Sequence, residues 1–249
     1  MFSSLRLAIS FLTIFPFYNK MADNKELAQS VSYYPLVGFL LGSIAAGVCY
    51  AMHSIGLNLA ADVLGLVTII TLTGGLHQDG LMDTADGIFS GRELHRKLEI
   101  MKDSRVGAMG VIALATVLLL KIAFLFELDL AQKLTAFIMA PMAGRWAMVL
   151  AITRYPYARA TGGLGACLKQ AGKTQLALAT LILVAGCLWL FGLPGLALLG
   201  IVFFITWLTV EFIVKRLGGM TGDTYGALGE MIETWVIFLI LLGQQIRML

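Results

Sequence analysis

Residues 57–89 read LNLAADVLGLVTIITLTGGLHQDGLMDTADGIF, an apolar segment that runs directly into a cluster of acids. The apolar part, 57–76, has the ~20 residues that a helix needs to cross a bilayer. It is followed by Asp79, Asp83 and Asp86, spaced i, i+4 and i+7. On an α-helix these positions form one stripe, with neighbouring carboxylates about 5–6 Å apart. The stretch therefore predicts a membrane span that leads into an acidic helix face.

Carboxylates this close to one another are unfavourable. A pair at this distance repels by about 3 kcal/mol at an effective dielectric constant of about 20. A divalent cation reverses that cost, so we interpret the stripe as a metal site. A solvated acidic helix face is the alternative, and the two Asp-Gly pairs also favour turns that would interrupt the helix. An EF-hand is excluded, because its loop requires a glutamate where this chain has Ser90.

The composition places the whole chain in the membrane. Hydrophobic residues make up 59% of its 249 residues and charged residues 13%, with a mean hydropathy of +0.86. We predict an all-α, polytopic integral membrane bundle that forms a single domain, 1–249, without a removable signal peptide. Leu5–Phe17 is too short to span and predicts an interfacial or re-entrant helix, and Glu93–Lys102 predicts a charged amphipathic helix. The seven predicted spans are 33–55, 57–76, 108–127, 132–152, 174–191, 195–214 and 228–246.

Positive charge is distributed unequally between the two sides of the predicted bundle. Fourteen of the 18 Lys and Arg residues fall in loops on one side. Because cytoplasmic loops are enriched in these residues, we expect the N-terminus and the acidic stripe to face the cytoplasm. The chain is then a multi-pass protein of the cytoplasmic (inner) membrane, in contact with the lipid bilayer. Its formal net charge of +3 is small, and we expect no nucleic acid partner.

A second motif, MKDSRVGAMG at 101–110, sets Asp103 beside Lys102 and Arg105. One interpretation is a further metal carboxylate next to cations that neutralise a phosphate, with Gly107 and Gly110 leaving room for a ligand. The other is a local surface ion pair, worth about 0–1 kcal/mol.

A third motif, GGMTGDTYGALGE at 218–230, carries Asp223 and Glu230 into the last span. Acids inside spans are costly and usually line a cavity, although Asp223 would also suit a helix cap. Arg145 lies within a span, as a phosphate ligand or a snorkelling side chain. Arg159 lies in a basic loop whose charge also follows from topology, and His77 is either a base or ligand, or a histidine bonded to backbone.

These features together suggest metal-assisted phosphoryl transfer at the inner membrane surface. Two Mg²⁺ ions about 3.5–4 Å apart would clamp the attacking and leaving oxygens of an in-line displacement. Nearby Arg and Lys residues would stabilise the charge on a departing diphosphate. From the residues alone, the substrate is any diphosphate-activated compound with an alcohol acceptor.

The three motifs, GGLHQDGLMDTADG at 74–87 together with 101–110 and 218–230, resemble those of the cobalamin synthase, or adenosylcobinamide-GDP ribazoletransferase, family. The resemblance extends over nearly the whole chain in the same order. It implies Mg²⁺-dependent transfer of the cobinamide phosphate from adenosylcobinamide-GDP to α-ribazole or its 5′-phosphate. GMP would leave, and adenosylcobalamin or its phosphate would form. Carried over by position, the metal ligands are Asp79, Asp83, Asp86 and Asp103.

Carried over in the same way, Asp223 and Glu230 become further site acids. The residues themselves suggest the other roles. Asp83 or Asp86 would accept the hydroxyl proton, unless polarisation of that hydroxyl by the metal makes a dedicated base unnecessary, and Lys102 and Arg105 would act on the phosphates. The candidate substrate-binding residues are His77, Arg145, Arg159, Asp223 and Glu230. One departure is Thr13-Ile14-Phe15-Pro16, where the family often has Thr-Arg before Leu-Pro or Ile-Pro. A homo-oligomer or a complex with other corrinoid-pathway enzymes is left open.

Two other functions are alternatives for a membrane protein with clustered acids. A CDP-alcohol phosphotransferase also clusters aspartates on a membrane helix, but its pattern ends in Asp-x3-Asp, whereas here that spacing comes first. A cation-coupled transporter would place acids near the bilayer midplane and show repeat symmetry. These acids lie at predicted loop ends, and the sequence shows no repeat.

Overall fold

A computed structural model describes residues 2–159 and 168–247, with the side chains of Lys169 and Arg247 outside that description. These residues form helices joined by short loops and contain no β-strand, which confirms the predicted all-α class. Short 3₁₀ turns at Val31–Tyr33 and Leu168–Gln170 precede α3 and α9. The helices are α1 (Phe2–Leu12), α2 (Asn24–Ser30), α3 (Tyr34–Ser54), α4 (Asn58–Leu72), α5 (Leu76–Phe89), α6 (Leu94–Ile100), α7 (Ala108–Glu127), α8 (Leu130–Arg154), α9 (Lys173–Phe191), α10 (Gly195–Leu217) and α11 (Gly222–Arg247).

Within the described ranges, six helical segments are candidate spans by length and composition, and a bent pair is either a broken seventh span or a re-entrant loop. The span containing α3 and helices α7 to α11 are long and apolar enough to cross a bilayer, and α4 with α5 adds a pair bent by 88°. The span predicted over 57–76 therefore ends earlier than expected, because α4 stops at Leu72. Gly74 and Gly75 have φ of +63° and +71°, a left-handed conformation that glycine adopts without steric cost. The chain turns there, and α5 leaves in a new direction.

Helix α8 is the most enclosed span, and α3 and α11 pack closely against it. Pro141 lies inside α8 and has no N–H, so the carbonyl oxygen of Phe137, four residues earlier, lacks its usual helical donor. Gly42 of α3 lies over that carbonyl: a Cβ there would be 2.3 Å from its oxygen. Gly38 lies equally close to the carbonyl oxygen of Pro141, at 2.4 Å. The two glycines allow the backbones of α3 and α8 to touch.

The outward surfaces of the spans are apolar. Side chains such as Leu181, Trp189 and Phe203 are more than half exposed. A face of this kind suits the hydrocarbon of a bilayer, as expected for a multi-pass membrane protein.

An ion pair that the sequence did not predict joins the N-terminal ends of α4 and α8. Asp62 and Lys133 lie 2.7 Å apart, and both are almost fully buried. The two residues lie 71 positions apart in the chain, so no local pattern could indicate the pair.

Gly42→Ala should destabilise the bundle by about 1–3 kcal/mol, because its Cβ overlaps the α8 backbone and one of the helices must move. Gly47→Ala in the same helix is the matched control, since a Cβ there meets nothing within 4 Å. It should be neutral or slightly stabilising, because alanine is the better helix former. Equilibrium unfolding of purified protein in detergent measures both. Equal midpoints for the two variants would contradict the close α3–α8 packing.

Candidate active site

Helix α5 carries the acidic stripe. It is continuous from Leu76 to Phe89 through both Asp-Gly pairs, so the predicted helix over Asp79, Asp83 and Asp86 is confirmed. Asp79 lies in the first turn, where the helix dipole favours a negative charge. The acids therefore share one helix near the end of the bundle where α11 begins.

A fourth acid approaches this stripe from α11. A Cβ at Gly80 would be 2.5 Å from the backbone oxygen of Asp223, so α5 and the start of α11 lie against each other. Asp83 is half-buried, and the charges of Asp79, Asp223 and Asp86 all act on it. The sequence motifs at 74–87 and 218–230 thus meet in space, as their shared acidic character suggested.

Asp86 has a structural partner that the sequence did not indicate. Its two carboxylate oxygens accept the backbone N–H groups of Gly107, at 2.7 Å, and Gly110, at 2.8 Å. These groups lie at the start of α7, where helix N–H groups lack internal partners. A Cβ at either glycine would fall within 2.6 Å of the Asp86 carboxylate. Gly107 and Gly110, which were predicted to leave room for a ligand, leave room for the Asp86 carboxylate.

Asp103 forms the surface ion pair that was the alternative interpretation. Both its oxygens accept hydrogen bonds from the side chain of Arg105, the shortest at 2.7 Å. Hydrogen bonds from the Arg105 side chain and backbone lower the pKa of Asp103 to about 2. Arg105 is largely exposed, and Lys102 is exposed beside it.

The predicted cluster of four metal carboxylates is therefore not assembled as a unit. Across 2–159 and 168–247, no three acidic, histidine or cysteine side chains stand close enough to hold one ion between them. The physical reason is that Asp86 is engaged by α7, whereas Asp103 is engaged by Arg105. Among the described residues no cation pairs with Asp79 or Asp83, and Asp223 pairs with Arg159 at 2.7 Å. Carboxylates of this kind are the hard oxygen donors that Mg²⁺ prefers.

Two recesses flank Asp79. The first, which we call the tyrosine cavity, has a volume of about 420 Å³. Its walls include Phe11, Tyr34, His77, Asp79, Met148, Ile152, Tyr157, Arg159, Asp223 and Tyr225. The second, the glycine groove, has a volume of about 540 Å³. Its walls include Thr13, Ile14, Thr73, Gly74, Gly75, Gln78, Asp79 and Met82.

The recesses account for three of the five predicted substrate ligands. His77, Arg159 and Asp223 all line the tyrosine cavity. The N-terminal departure from the family pattern also acquires a place, because Thr13 and Ile14 line the glycine groove. The structure thus brings residues from α1, α5, α11 and the loop after α8 to one site.

Arg145 and Glu230 lie in a buried ionic network instead. Lys121 bridges Glu230 and Glu233, at 2.7 Å to each, and Arg145 pairs with Glu233. Each of these side chains is at least 96% buried. The two cations balance the two carboxylates, which is the condition for retaining charges in a low-dielectric interior.

The network is joined to the site by two adjacent residues of α5. His77 Nδ1 lies 3.2 Å from an Arg145 guanidinium nitrogen, and Gln78 Nε2 donates to Glu230 at 2.9 Å. His77 lines the tyrosine cavity, whereas Gln78 lines the glycine groove. We therefore expect Arg145 and Glu230 to influence the substrates through these two residues. Lys121 and Glu233 were not among the predicted site residues, although charges inside predicted spans are the signal that points to them.

The family model described as Cobalamin-5-phosphate synthase matches residues 4–241. The chain belongs to this family. Relatives named adenosylcobinamide-GDP ribazoletransferase include one from Roseiflexus sp. (strain RS-1), 40% identical over all of this chain and 92% of the relative. Others are from Syntrophobacter fumaroxidans, 40% identical over 95% and 97%, and Brevibacillus brevis, 37% identical over 95% and 96%. No solved structure matches the chain.

Membership confirms the resemblance that the three motifs carry. The enzyme is a transferase of cobalamin biosynthesis, and its apolar helices make it a membrane protein. The matched residues, 4–241, include all three motifs and every residue that lines the two recesses. The acids of α5 and α11 therefore belong to the matched part of the chain.

Lys121→Met should destabilise the enzyme strongly, because Glu230 and Glu233 lose the cation they share. Removing one partner of a buried ion pair typically costs about 3–5 kcal/mol. Unfolding in detergent measures the effect, with Lys25→Met at an exposed position as the control. Adding Glu230→Gln to Lys121→Met restores the charge balance and should recover part of the loss. Wild-type stability in the single variant would refute the balanced network.

Proposed function

We propose that the enzyme transfers the cobinamide phosphate of adenosylcobinamide-GDP to α-ribazole or its 5′-phosphate and releases GMP. The observation that carries this proposal is the meeting of two recesses at Asp79, beside Asp83 and Asp223. A transfer between two substrates requires two binding sites that converge on the reacting groups. The names of the relatives supply the two substrates.

The reaction is a displacement at phosphorus. A ribose hydroxyl oxygen of the acceptor attacks the phosphorus that bears the cobinamide, and a new P–O bond forms. The bond from this phosphorus to the bridging oxygen of the diphosphate breaks, and GMP leaves with that oxygen. Asp83 accepts the hydroxyl proton in this scheme. It suits the role because it is partly buried, lies among Asp79, Asp223 and Asp86, and has no ion-pair partner in the described part of the chain.

Asp79, Asp83 and Asp223 would supply carboxylates to one or two Mg²⁺ ions, with no more than two of the three on any one ion. Phosphate oxygens of the donor and water would complete the coordination. When bound, Mg²⁺ supplies charge neutralisation on the diphosphate oxygens and on the departing phosphate. The donor set suits it, because it consists of carboxylates alone and two of the three are free of ion pairs in the described part of the chain. Asp86 and Asp103 support the site from outside this set.

Positively charged side chains would bind the phosphates or attract them to the site. Arg159 lines the tyrosine cavity beside Asp223, within reach of a phosphate placed there. A guanidinium binds phosphate oxygens in a fixed, two-pronged geometry. Lys102 and Arg105 are exposed in the loop before α7 and would attract the anionic donor to the membrane surface.

Asp83→Asn should lower the rate of GMP release by about 100- to 1000-fold or more, because it removes both a proton acceptor and a metal ligand. Purified protein is incubated with adenosylcobinamide-GDP, α-ribazole and Mg²⁺, and GMP and the corrinoid product are quantified. Glu93→Gln, an exposed acid before α6, is the matched control and should retain wild-type turnover.

Near-normal turnover by a folded Asp83→Asn enzyme would exclude this site. Wild-type protein that forms no product under these conditions, but carries Mg²⁺-dependent ion flux in vesicles, would instead favour the transporter.

We also propose that the site faces the cytoplasm from the inner membrane. The loop charges support this orientation, because the described basic residues cluster at the ends of the spans near α5 and α6. In a variant whose three native cysteines are replaced, Ser104→Cys should react with an impermeant maleimide only after cells are permeabilised. Leu57→Cys, between α3 and α4, should react in intact cells. The reverse pattern would place the site outside.

A further inference from the structure

We propose that the tyrosine cavity binds the base of the acceptor nucleoside, and that the glycine groove binds the guanosine end of the donor. This assignment rests on the proposed function and adds which recess takes which substrate. It follows from the walls of the recesses, from unpaired buried polar atoms in both, and from the wall that they share.

The walls of the tyrosine cavity suit a flat apolar base. Tyr34, Tyr225 and Phe11 contribute aromatic rings, and Met148 and Ile152 contribute aliphatic surface. All but Phe11 are at most 8% exposed, so this part of the wall is rigidly packed. The base of α-ribazole is a benzimidazole with two methyl groups and a single free ring nitrogen. It offers large apolar faces for stacking and only one group that needs a hydrogen bond.

Guanine fits the same cavity poorly. It carries an N–H, an exocyclic amine, a carbonyl and a ring nitrogen, all of which bond to water in solution. A polar group buried without a partner costs about 1–3 kcal/mol. The stretch of wall formed by Phe11, Met148 and Ile152 would leave several of these groups unpaired. The polar side chains His77, Arg159 and Asp223 of the same cavity already pair within the protein, so this stretch favours the less polar base.

The glycine groove contains an oriented hydrogen-bond acceptor for guanine. Gln78 lines it, and its Nε2 is fixed by the hydrogen bond to Glu230. Its Oε1 is buried and has no hydrogen-bond partner among the described residues. An oriented acceptor of this kind suits the N–H groups of guanine. Gly74, Gly75 and Thr13 line the groove as well, with their N–H and hydroxyl donors already hydrogen-bonded within the protein.

Within the described ranges, the tyrosine cavity has an unpaired hydrogen-bond donor in Arg159, in addition to the unpaired hydroxyl of Tyr34. Arg159 pairs with Asp223 through one terminal nitrogen, and its Nε–H is buried without a hydrogen-bond partner in the described part of the chain. An N–H donor suits an oxygen of the acceptor, either of the ribose or of a 5′-phosphate. The acceptor base would then lie among the tyrosines with its ribose directed to Arg159.

The shared wall completes the arrangement. Phe11, Leu76 and Asp79 line both recesses, so substrates bound in the two would approach each other at Asp79. The hydroxyl of the acceptor and the diphosphate of the donor would meet beside the acids of α5. The corrin ring is too large for either recess and would remain at the open surface.

Tyr225→Leu should raise the KM for α-ribazole roughly tenfold, because it removes one stacking surface. It should leave the KM for adenosylcobinamide-GDP unchanged. Tyr225→Phe retains the ring and should restore the wild-type KM. Binding of α-ribazole, followed by the fluorescence of its base without any donor present, should weaken in parallel. If Tyr225→Leu does not fold, Ile152→Phe narrows the same cavity and carries the same expectation.

The donor side is tested with an altered substrate. A donor with hypoxanthine in place of guanine lacks the exocyclic amine and should show a raised KM, with no change in the KM for α-ribazole. Arg159→Gln should raise the KM for α-ribazole 5′-phosphate more than that for α-ribazole. The ratio of the two cancels any effect common to both acceptors, including the loss of the partner of Asp223.

The outcomes separate this assignment from the proposed function. Wild-type enzyme that releases no GMP refutes the function itself. Normal turnover, with Tyr225→Leu raising the KM of the donor and not that of α-ribazole, refutes only the assignment of the recesses. Unchanged α-ribazole binding in both Tyr225→Leu and Ile152→Phe would refute it as well.

Discussion

The balanced ionic network of Lys121, Arg145, Glu230 and Glu233 is the constraint on which the site depends. Each charge is tolerable inside the bundle only because an opposite charge touches it. The network joins α7, α8 and α11, three spans that come from distant parts of the chain. It also holds α5, because His77 contacts Arg145 and Gln78 bonds to Glu230. The acidic helix is thus fixed to the membrane bundle through its first turn.

This attachment explains how a helix bent away from its span can present its acids reproducibly. The glycines at 74 and 75 free α5 from the direction of α4, and three contacts then fix it again. The network holds its first turn, Gly80 brings it against the backbone of Asp223, and Asp86 bonds to the start of α7. Because 77 and 78 are adjacent on the helix, their side chains diverge. One enters the wall of the tyrosine cavity and the other that of the glycine groove.

The sequence allowed prediction wherever the signal is local. Apolar length predicted the spans, and the i, i+4, i+7 spacing predicted the stripe on α5, which the structure confirms. Hydrogen-bond and ion-pair partners that are distant in the sequence could not be predicted from such local patterns. The partners of Asp86 could not be predicted, because nothing in its neighbourhood shows that Gly107 and Gly110 lie against it. Asp62 and Lys133 were missed for the same reason, since an ion pair between two spans leaves no periodic trace. Asp103 is the converse case, where both interpretations were visible and the local one, pairing with Arg105, is found.

Glycines allow close approach at two kinds of contact in this protein, between spans and around the acids. Gly38 and Gly42 let the backbones of α3 and α8 touch, and that contact stabilises the bundle but takes no part in the candidate active site. Gly80, Gly107 and Gly110 likewise admit close neighbours, but the neighbours are the backbone of Asp223 and the carboxylate of Asp86. A side chain at any of these three positions would separate the acidic helix from the elements that orient it. Glycine-rich motifs around the acids are therefore explained by packing within the protein. The space left for substrates lies elsewhere, in the two recesses that meet at Asp79.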